Sequence, residues 1–253
     1  MSLNSQMRAF QHAFTLNADP GIVDAFQRAQ SALADTGIVD RALKAGFSMP
    51  EFTLSDLSGQ AVSLHSLLVR GPVVVSFYPG DWCDYCVMEL AALAAIHDEV
   101  LQLGASLVAV SPQAPQTRPK SSVTEPPFPL LFDAEAKVAR RCGIAFPLSE
   151  ELRPIYTGAG RRPSSEGQDN WLLPLPATYI VDWTGEIVFS FLDTDYTSRL
   201  EPAEILAVLA PLARRTDREQ PVWGRRRRRT RATRGGDDAP LCDFSNPTST
   251  RTR

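Results

Sequence analysis

The run Val73 to Leu90, VVVSFYPGDWCDYCVMEL, decides how the rest of the chain is read. It opens as an apolar, β-branched and aromatic stretch, Val73-Val74-Val75-Ser76-Phe77-Tyr78, the pattern of a strand buried on both faces. Pro79-Gly80-Asp81 breaks that strand, and from Cys86 onward Val87, Leu90, Leu93, Ala94 and Leu101 recur at helical spacing. Cys83 and Cys86 therefore stand at a strand-to-helix corner, at or before the first helical turn. Unpaired N–H groups and the positive end of the helix dipole favour a thiolate there. A thiol of ordinary pKa, about 8.5, is only a few per cent ionised at neutral pH, so this location decides whether a cysteine works as a nucleophile. Two cysteines separated by two residues also close a small disulfide ring, and such a pair stores two electrons.

A metal site would need further ligands at matching spacing. Cys142 has no cysteine near it, Cys242 lies in a polar tail, and His12, His65 and His97 are scattered. His97 follows Cys86 by eleven residues on the same helical face, which at about 1.5 Å per residue puts it roughly 16 Å away, beyond the reach of a ligand or a base. The sequence thus points to redox chemistry at the pair, with no metal and no cofactor.

With 253 residues and 43% hydrophobic content, the chain is sized for one full core and a small extension. Met1 to Ala18 lacks the apolar region of a signal peptide and no run reaches membrane-spanning length, so a cytoplasmic location and no membrane partner are expected. In a reducing compartment a closely spaced cysteine pair reads as catalytic and not as a staple. The formal net charge of −3 is uneven: residues 214–253 hold twelve basic and five acidic side chains, a balance of +7, which leaves −10 on the first 213 residues. An acidic body of this kind argues against a specific nucleic-acid ligand. The Arg225 to Arg229 block, in a segment without hydrophobic periodicity, reads as a disordered basic tail that holds polyanions by charge alone.

Around the central run the chain divides into residues 1–44 as a helical extension, 45–213 as the main domain and 214–253 as the tail. Phe10, Phe14, Ile22, Val23, Phe26, Leu33, Ile38, Val39 and Leu43 predict two or three short amphipathic helices. Phe52 to Asp56, turning at Ser58-Gly59-Gln60 into Ala61 to Leu64, predicts a hairpin followed by one helical turn. Ser106 to Ser111 is a second buried strand, which with the central strand and its helix makes a βαβ unit and a partly parallel sheet. A proline-rich loop (112–127) leads to a short strand at Pro129 to Phe132, a helix at Ala134 to Cys142 and a helical stretch near Ser149 to Tyr156. After the polar loop Gly158 to Asn170, Thr178 to Val181 and Ile187 to Phe191 form a hairpin through Asp182-Trp183-Thr184-Gly185, and Glu201 to Leu212 closes the domain as a helix. The fold class is α/β, a central mixed sheet flanked by helices.

Phe77-Tyr78-Pro79, Trp82-Cys83-Asp84-Tyr85-Cys86, Leu131-Phe132-Asp133 with Val138-Ala139-Arg140, Pro174-Leu175-Pro176-Ala177-Thr178, and Asp195-Tyr196-Thr197 with Arg199-Leu200-Glu201-Pro202 carry a resemblance. From about Ala45 to Leu212 the chain resembles the thioredoxin-fold superfamily, in its peroxiredoxin-like branch, the alkyl hydroperoxide reductase and thiol-specific antioxidant family. The resemblance implies a thioredoxin-like fold and a thiol oxidoreductase with an antioxidant role. Catalysis would use Cys83 and Cys86, with Pro176 opposite them and Pro79, Trp82, Tyr85 and Thr178 on the substrate side. A cellular dithiol reductant, thioredoxin- or glutathione-like, and a disulfide or peroxide substrate are the implied partners.

The resemblance leaves two frames open. The peroxiredoxin frame laid on Pro79 makes Cys86 the peroxide-attacking cysteine, with Glu89 three residues later, whereas the thioredoxin frame attacks with Cys83. Pro176 stands where peroxiredoxins of this frame carry an arginine and where thioredoxin-like enzymes carry a cis-proline, and Phe77 replaces the buried carboxylate of thioredoxins. Asp81 and Asp84 each oppose a thiolate by about 1 kcal/mol at roughly 4 Å in water. The helix terminus offers about 0.3 to 1 kcal/mol in return. The expectation is cysteine pKa values of about 7 to 8 and a reducing couple. Trp82 and Tyr85 either shield the sulfurs or pack, Asp195, Tyr196 and Arg199 read as structural, and Cys142 reads as a buried small hydrophobe. The alternative from another class is a non-catalytic thioredoxin-fold binding or redox-sensing module.

Overall fold

The computed structural model describes residues 1–118, 126–160 and 171–216, with side chains in the last helix as far as Ala213. Most of the Gly158 to Asn170 loop, part of the proline-rich loop, and the tail with Cys242 lie outside the described residues. The chain divides into a unit Met1–Glu219, described here, and a unit Gln220–Arg253.

A seven-stranded mixed sheet organises the first unit. The run of β-branched residues forms β3 (Val73–Phe77), every residue of which is buried. It pairs in parallel with β4 (Ser106–Ser111), from Val73 opposite Ser106 to Phe77 opposite Val110. On its other edge it pairs antiparallel with β8 (Ala177–Val181), Phe77 opposite Ala177 and Ser76 opposite Thr178. Outward from β4 come β5 (Leu130–Phe132), β1 (Thr53–Asp56) and β2 (Ala61–Ser63), and outward from β8 comes β9 (Ile187–Leu192). Hence the βαβ unit and both expected hairpins are present. Asp56 and Asp182 close the hairpin turns in the same way, each carboxylate accepting backbone N–H groups two and four residues on.

Alternation along β3 sends its side chains to two cores. Val73, Val75 and Phe77 join Leu64, Ile144, Leu175 and Tyr179 on one face. Val74 joins Cys86, Leu90, Leu93, Ile180, Ile205 and Leu209 on the other, beneath α5 (Asp84–Ala95) and α9 (Pro202–Thr216). The single helix expected from Cys86 through Leu101 is two: the backbone at Ile96 leaves helical geometry, and His97 opens a second helix, His97–Gln102, with its ring 5.9 Å from Phe128. The Ala134 to Cys142 helix is also shorter than expected. Glu135 and Ala136 take positive φ, and the α-helix Lys137–Arg141 starts after them, its first N–H groups held by the buried Asp133 carboxylate. A short two-stranded sheet, Ala145–Pro147 paired with Leu172–Pro174, went unread because its prolines mask a strand pattern.

The N-terminal extension forms α1 (Leu3–Asn17), α2 (Pro20–Asp35) and α3 (Ile38–Arg41). Leu3 and Met7 of α1 are buried with Tyr85 of α5. Ala25, Phe26 and Ala29 of α2 pack near Leu148, Leu152 and Leu173.

Candidate active site

The corner between β3 and α5 sets the site. Cys83 has extended backbone angles and occupies the N-cap of α5, so its carbonyl accepts the first helical hydrogen bond from Val87 N–H at 3.0 Å. Cys86, one turn on, points back beneath it and is fully buried, whereas Cys83 is only half-buried. Both are free thiols, close enough for each to act on the other's ionisation.

Behind the sulfurs lies a deeply buried ion pair. Arg199, 2% exposed, donates from Nε to a Glu89 carboxylate oxygen at 2.5 Å and from one terminal nitrogen to the carbonyls of Tyr196 and Ser198. Its other terminal nitrogen lies 3.6 Å from Cys86 Sγ. Glu89 also accepts from Ser76 Oγ at 3.3 Å. Burial opposes the guanidinium charge, yet Glu89 and the two sulfurs raise the Arg199 pKa above the ordinary arginine value. Burial raises the Glu89 pKa, against the pull of Arg199.

These neighbours divide the two thiols. The hydrogen bond from Cys86 lowers the Cys83 pKa, burial opposes it, and Arg199 adds to the lowering. Burial first, then the hydrogen bond to Cys83 and the charge on Cys83, push Cys86 well above the ordinary thiol range. The two thiols titrate as one coupled pair, in which the Cys83 side is shifted toward its anion and the buried Cys86 side away from it. The expected cancellation by two carboxylates is not what the geometry gives. Asp81 is buried and forms an ion pair with Arg118, and its N–H donates to Gln113 Oε1 at 2.6 Å. Asp84 is the weakest of the influences on Cys83.

Cys83 also opens into an apolar cleft of about 340 Å³. Pro79, Trp82, Pro176 and Tyr196 line it beside the sulfur, and α2 closes one side with Phe26 and Leu33. Pro176 immediately precedes Ala177, the partner of Phe77, so it sits at the same end of the sheet as the cysteines. Every peptide bond among the described residues is trans, that before Pro176 included, so the expected cis-proline is not formed. Trp82 stacks edge-on to Tyr156 at 5.2 Å, with its Nε1 buried and without a hydrogen bond among the described residues. Tyr85 lies away from the cleft, between Phe10 at 5.3 Å and Tyr196 at 5.6 Å, its hydroxyl pKa raised to about 12 mainly by burial. Thr178 is buried opposite Ser76, on the sheet face that carries Cys86. Cys142 is buried in the core on the opposite face, its pKa pushed up to about 12 mainly by burial, and is remote from this chemistry.

Arg199, which reads as structural in the sequence, stands at the site: no arginine is at position 176, and the guanidinium near the sulfurs comes from the segment between β9 and α9. Its sequence signal is its place in the Arg199-Leu200-Glu201-Pro202 motif. Among the described residues no group of His, Cys, Asp and Glu side chains is arranged to hold a metal, and no helix is long and apolar enough to cross a membrane.

Residues 45–190, which include the thiol pair at the strand-to-helix corner, match the family model described as the AhpC/TSA family. The chain belongs to the AhpC/TSA family. This AhpC/TSA protein is 32% identical over 114 residues to a peroxiredoxin-named protein of Mycobacterium tuberculosis, covering 45% of this chain and 74% of that one. It is 26% identical over 146 residues to the thiol-disulfide oxidoreductase ResA of Geobacillus kaustophilus, covering 58% of this chain and 68% of the relative. Among solved structures, the peroxidoxin BcpB of Mycobacterium tuberculosis superposes with a TM-score of 0.51 at 24% identity, covering 67% of this chain and 98% of that one, a likeness of fold. The protein is a thiol-based oxidoreductase of the peroxiredoxin-like type.

Proposed function

We propose that this protein reduces hydroperoxides, with Cys83 as the attacking thiolate and Cys86 as the resolving thiol. The observation that carries the reading is the asymmetry of the pair: Cys83 is half-buried and lines the cleft, whereas Cys86 is fully buried and does not. In the first step the Cys83 thiolate attacks the terminal peroxide oxygen, the O–O bond breaks, and the departing alkoxide takes a proton from water to leave as alcohol. Cys83 is then a sulfenic acid. Conversion of Cys83 from anion to neutral sulfenic acid removes one of the influences that raise the Cys86 pKa, while Arg199 remains 3.6 Å from its sulfur. Cys86 gives up its proton and attacks Cys83, forming the disulfide and releasing water. An external dithiol, of thioredoxin or glutathione type, returns the pair to its reduced state by exchange.

In this reading Pro79, Trp82 and Pro176 flank the substrate at the cleft, while Tyr85 and Thr178 support the corner from behind. Residues 45–213 carry the chemistry and the 1–44 extension supplies a wall of the cleft. The cytoplasm, with its dithiol reductants, is the compartment that suits this cycle.

A second reading, disulfide exchange, is favoured by the opening of Cys83 beside Pro176 into an apolar cleft where a substrate chain has room to lie, and by the likeness to ResA. One pair of assays separates the two: consumption of hydrogen peroxide and of cumene hydroperoxide, run beside reduction of insulin disulfides, for wild type, Cys83→Ser and Cys86→Ser. Hydroperoxide turnover lost in both variants, with a single stoichiometric reaction kept by Cys86→Ser, supports the proposal. Peroxide reactivity that persists in Cys83→Ser overturns the assignment, and fast insulin reduction without peroxide turnover supports the second reading.

A further inference from the structure

Arg199 sits in a segment outside any strand or helix, yet its side chain is held 3.6 Å from the Cys86 sulfur. What fixes its backbone comes from the far end of the chain. The Asn4 side-chain amide donates from Nδ2 to the Arg199 carbonyl at 2.8 Å and accepts at Oδ1 from the Arg199 N–H at 3.2 Å. One side chain thus satisfies both main-chain groups of a residue that is 2% exposed, in the manner of a rung of β-ladder. The arrangement is reciprocal. Glu201, two residues after Arg199, accepts from the N–H groups of Leu3 at 3.1 Å and Asn4 at 2.8 Å, at the open end of α1. Leu3 and Met7, one turn apart on α1, are buried against Tyr85, which lies between the two cysteines in sequence.

We propose that Asn4 is a positioning residue of the redox site: through its paired hydrogen bonds to the Arg199 backbone, helix α1 holds the guanidinium against the Cys83 and Cys86 pair. The N-terminal extension is then a part of the working site and not a cover over it. Asn4 touches neither the sulfurs nor the cleft, so it acts only through Arg199. The inference rests on the reading of Cys83 as the attacking thiolate.

The test is the pH dependence of Cys83 alkylation by iodoacetamide, followed by mass spectrometry on the full-length reduced protein. Asn4→Ala raises the midpoint by about 0.5 to 1 pH unit, equivalent to a roughly three- to tenfold slower alkylation at fixed pH below the midpoint. Met7→Ala, which removes packing from the same helix without touching the Asn4 bonds, lowers the melting temperature and leaves the midpoint in place. In an Arg199→Lys background Asn4→Ala shifts the midpoint by less than in the wild type, because the group it positions has changed. Equal midpoints for wild type and Asn4→Ala, or equal shifts for Asn4→Ala and Met7→Ala, overturn the inference. Asn4→Ser carries the same expectation should the alanine variant fail to fold. A wild-type midpoint at or above the ordinary thiol value, about 8.5, instead overturns the assignment of Cys83, so the two failures are distinguishable.

Discussion

Arg199 meets Glu89, two backbone carbonyls and a sulfur in a deeply buried site. Such a pair contributes little net stability when intact but is costly to split, because the remaining charge stays buried. Arg199→Leu therefore destabilises the reduced protein by about 3 to 5 kcal/mol in urea unfolding and moves Cys83 alkylation to higher pH; a variant of unchanged stability contradicts the buried pair. A second expectation follows from Cys83 itself. Its folded pKa lies below its unfolded value, so the folded thiolate contributes stability that is fully present above the unfolded pKa, about 8.5, and is lost as pH falls through the lowered folded value. The stability gap between reduced wild type and Cys83→Ser widens as pH rises toward the unfolded thiol value, about 8.5, and a gap that narrows as pH rises has the wrong sign. Little of this is legible in the sequence. Cys83 and Cys86 announce themselves by spacing, but Glu89 and Arg199 are 110 positions apart, and nothing local marks either as half of a pair.

The element that makes the corner is the turn between β3 and α5, and its tightness has a specific cause. A Cβ on Gly80 would stand 2.4 Å from Trp82 Nε1 and 2.7 Å from Gln113 Oε1. Those two side chains pack over the turn, and Gln113 also holds the Asp81 N–H. Gly80→Ala is expected to cost about 1 to 3 kcal/mol by overpacking and to alter the intrinsic fluorescence to which Trp82 contributes; calorimetry that finds no loss of stability argues against this packing. At this scale the sequence is at its most readable. The valine run of β3 fixes a strand, Pro79 and Gly80 fix its end, and the apolar spacing after Cys86 fixes the helix, because these signals are local. The break at Ile96 leaves no mark in the sequence pattern, since apolar residues on both sides of it keep an approximate helical period while the backbone turns. The opening of the Lys137–Arg141 helix is hidden for a related reason: positive φ at Glu135 and Ala136, neither a glycine, leaves no trace in a pattern of side chains.

Across the molecule, the sheet separates two cores, and the site lies at one end of it, where α5, the approach to β8 and the segment before α9 converge. The N-terminal helices complete it from two sides, α1 behind Tyr85 and α2 along the cleft. Their amphipathic periodicity was plain in Phe10, Phe14, Phe26 and Leu33, but an apolar face does not name what it covers, so its relation to the cysteines was beyond the sequence. Met1–Glu219 forms a compact unit of its own. A chain ended after Glu219 is expected to keep its melting temperature and its hydroperoxide turnover, and loss of either on truncation would place residues 220–253 in the working unit. The division of labour between the two thiols is the claim on which the rest stands, and trapping the oxidised intermediate tests it most directly. Cys86→Ser is mixed with one equivalent of hydrogen peroxide in the presence of dimedone and mapped by mass spectrometry, beside Cys83→Ser treated identically. The account predicts a dimedone adduct on Cys83 in the first protein and none on Cys86 in the second; an adduct that forms on Cys86 while Cys83 stays unmodified would reverse the roles and contradict it.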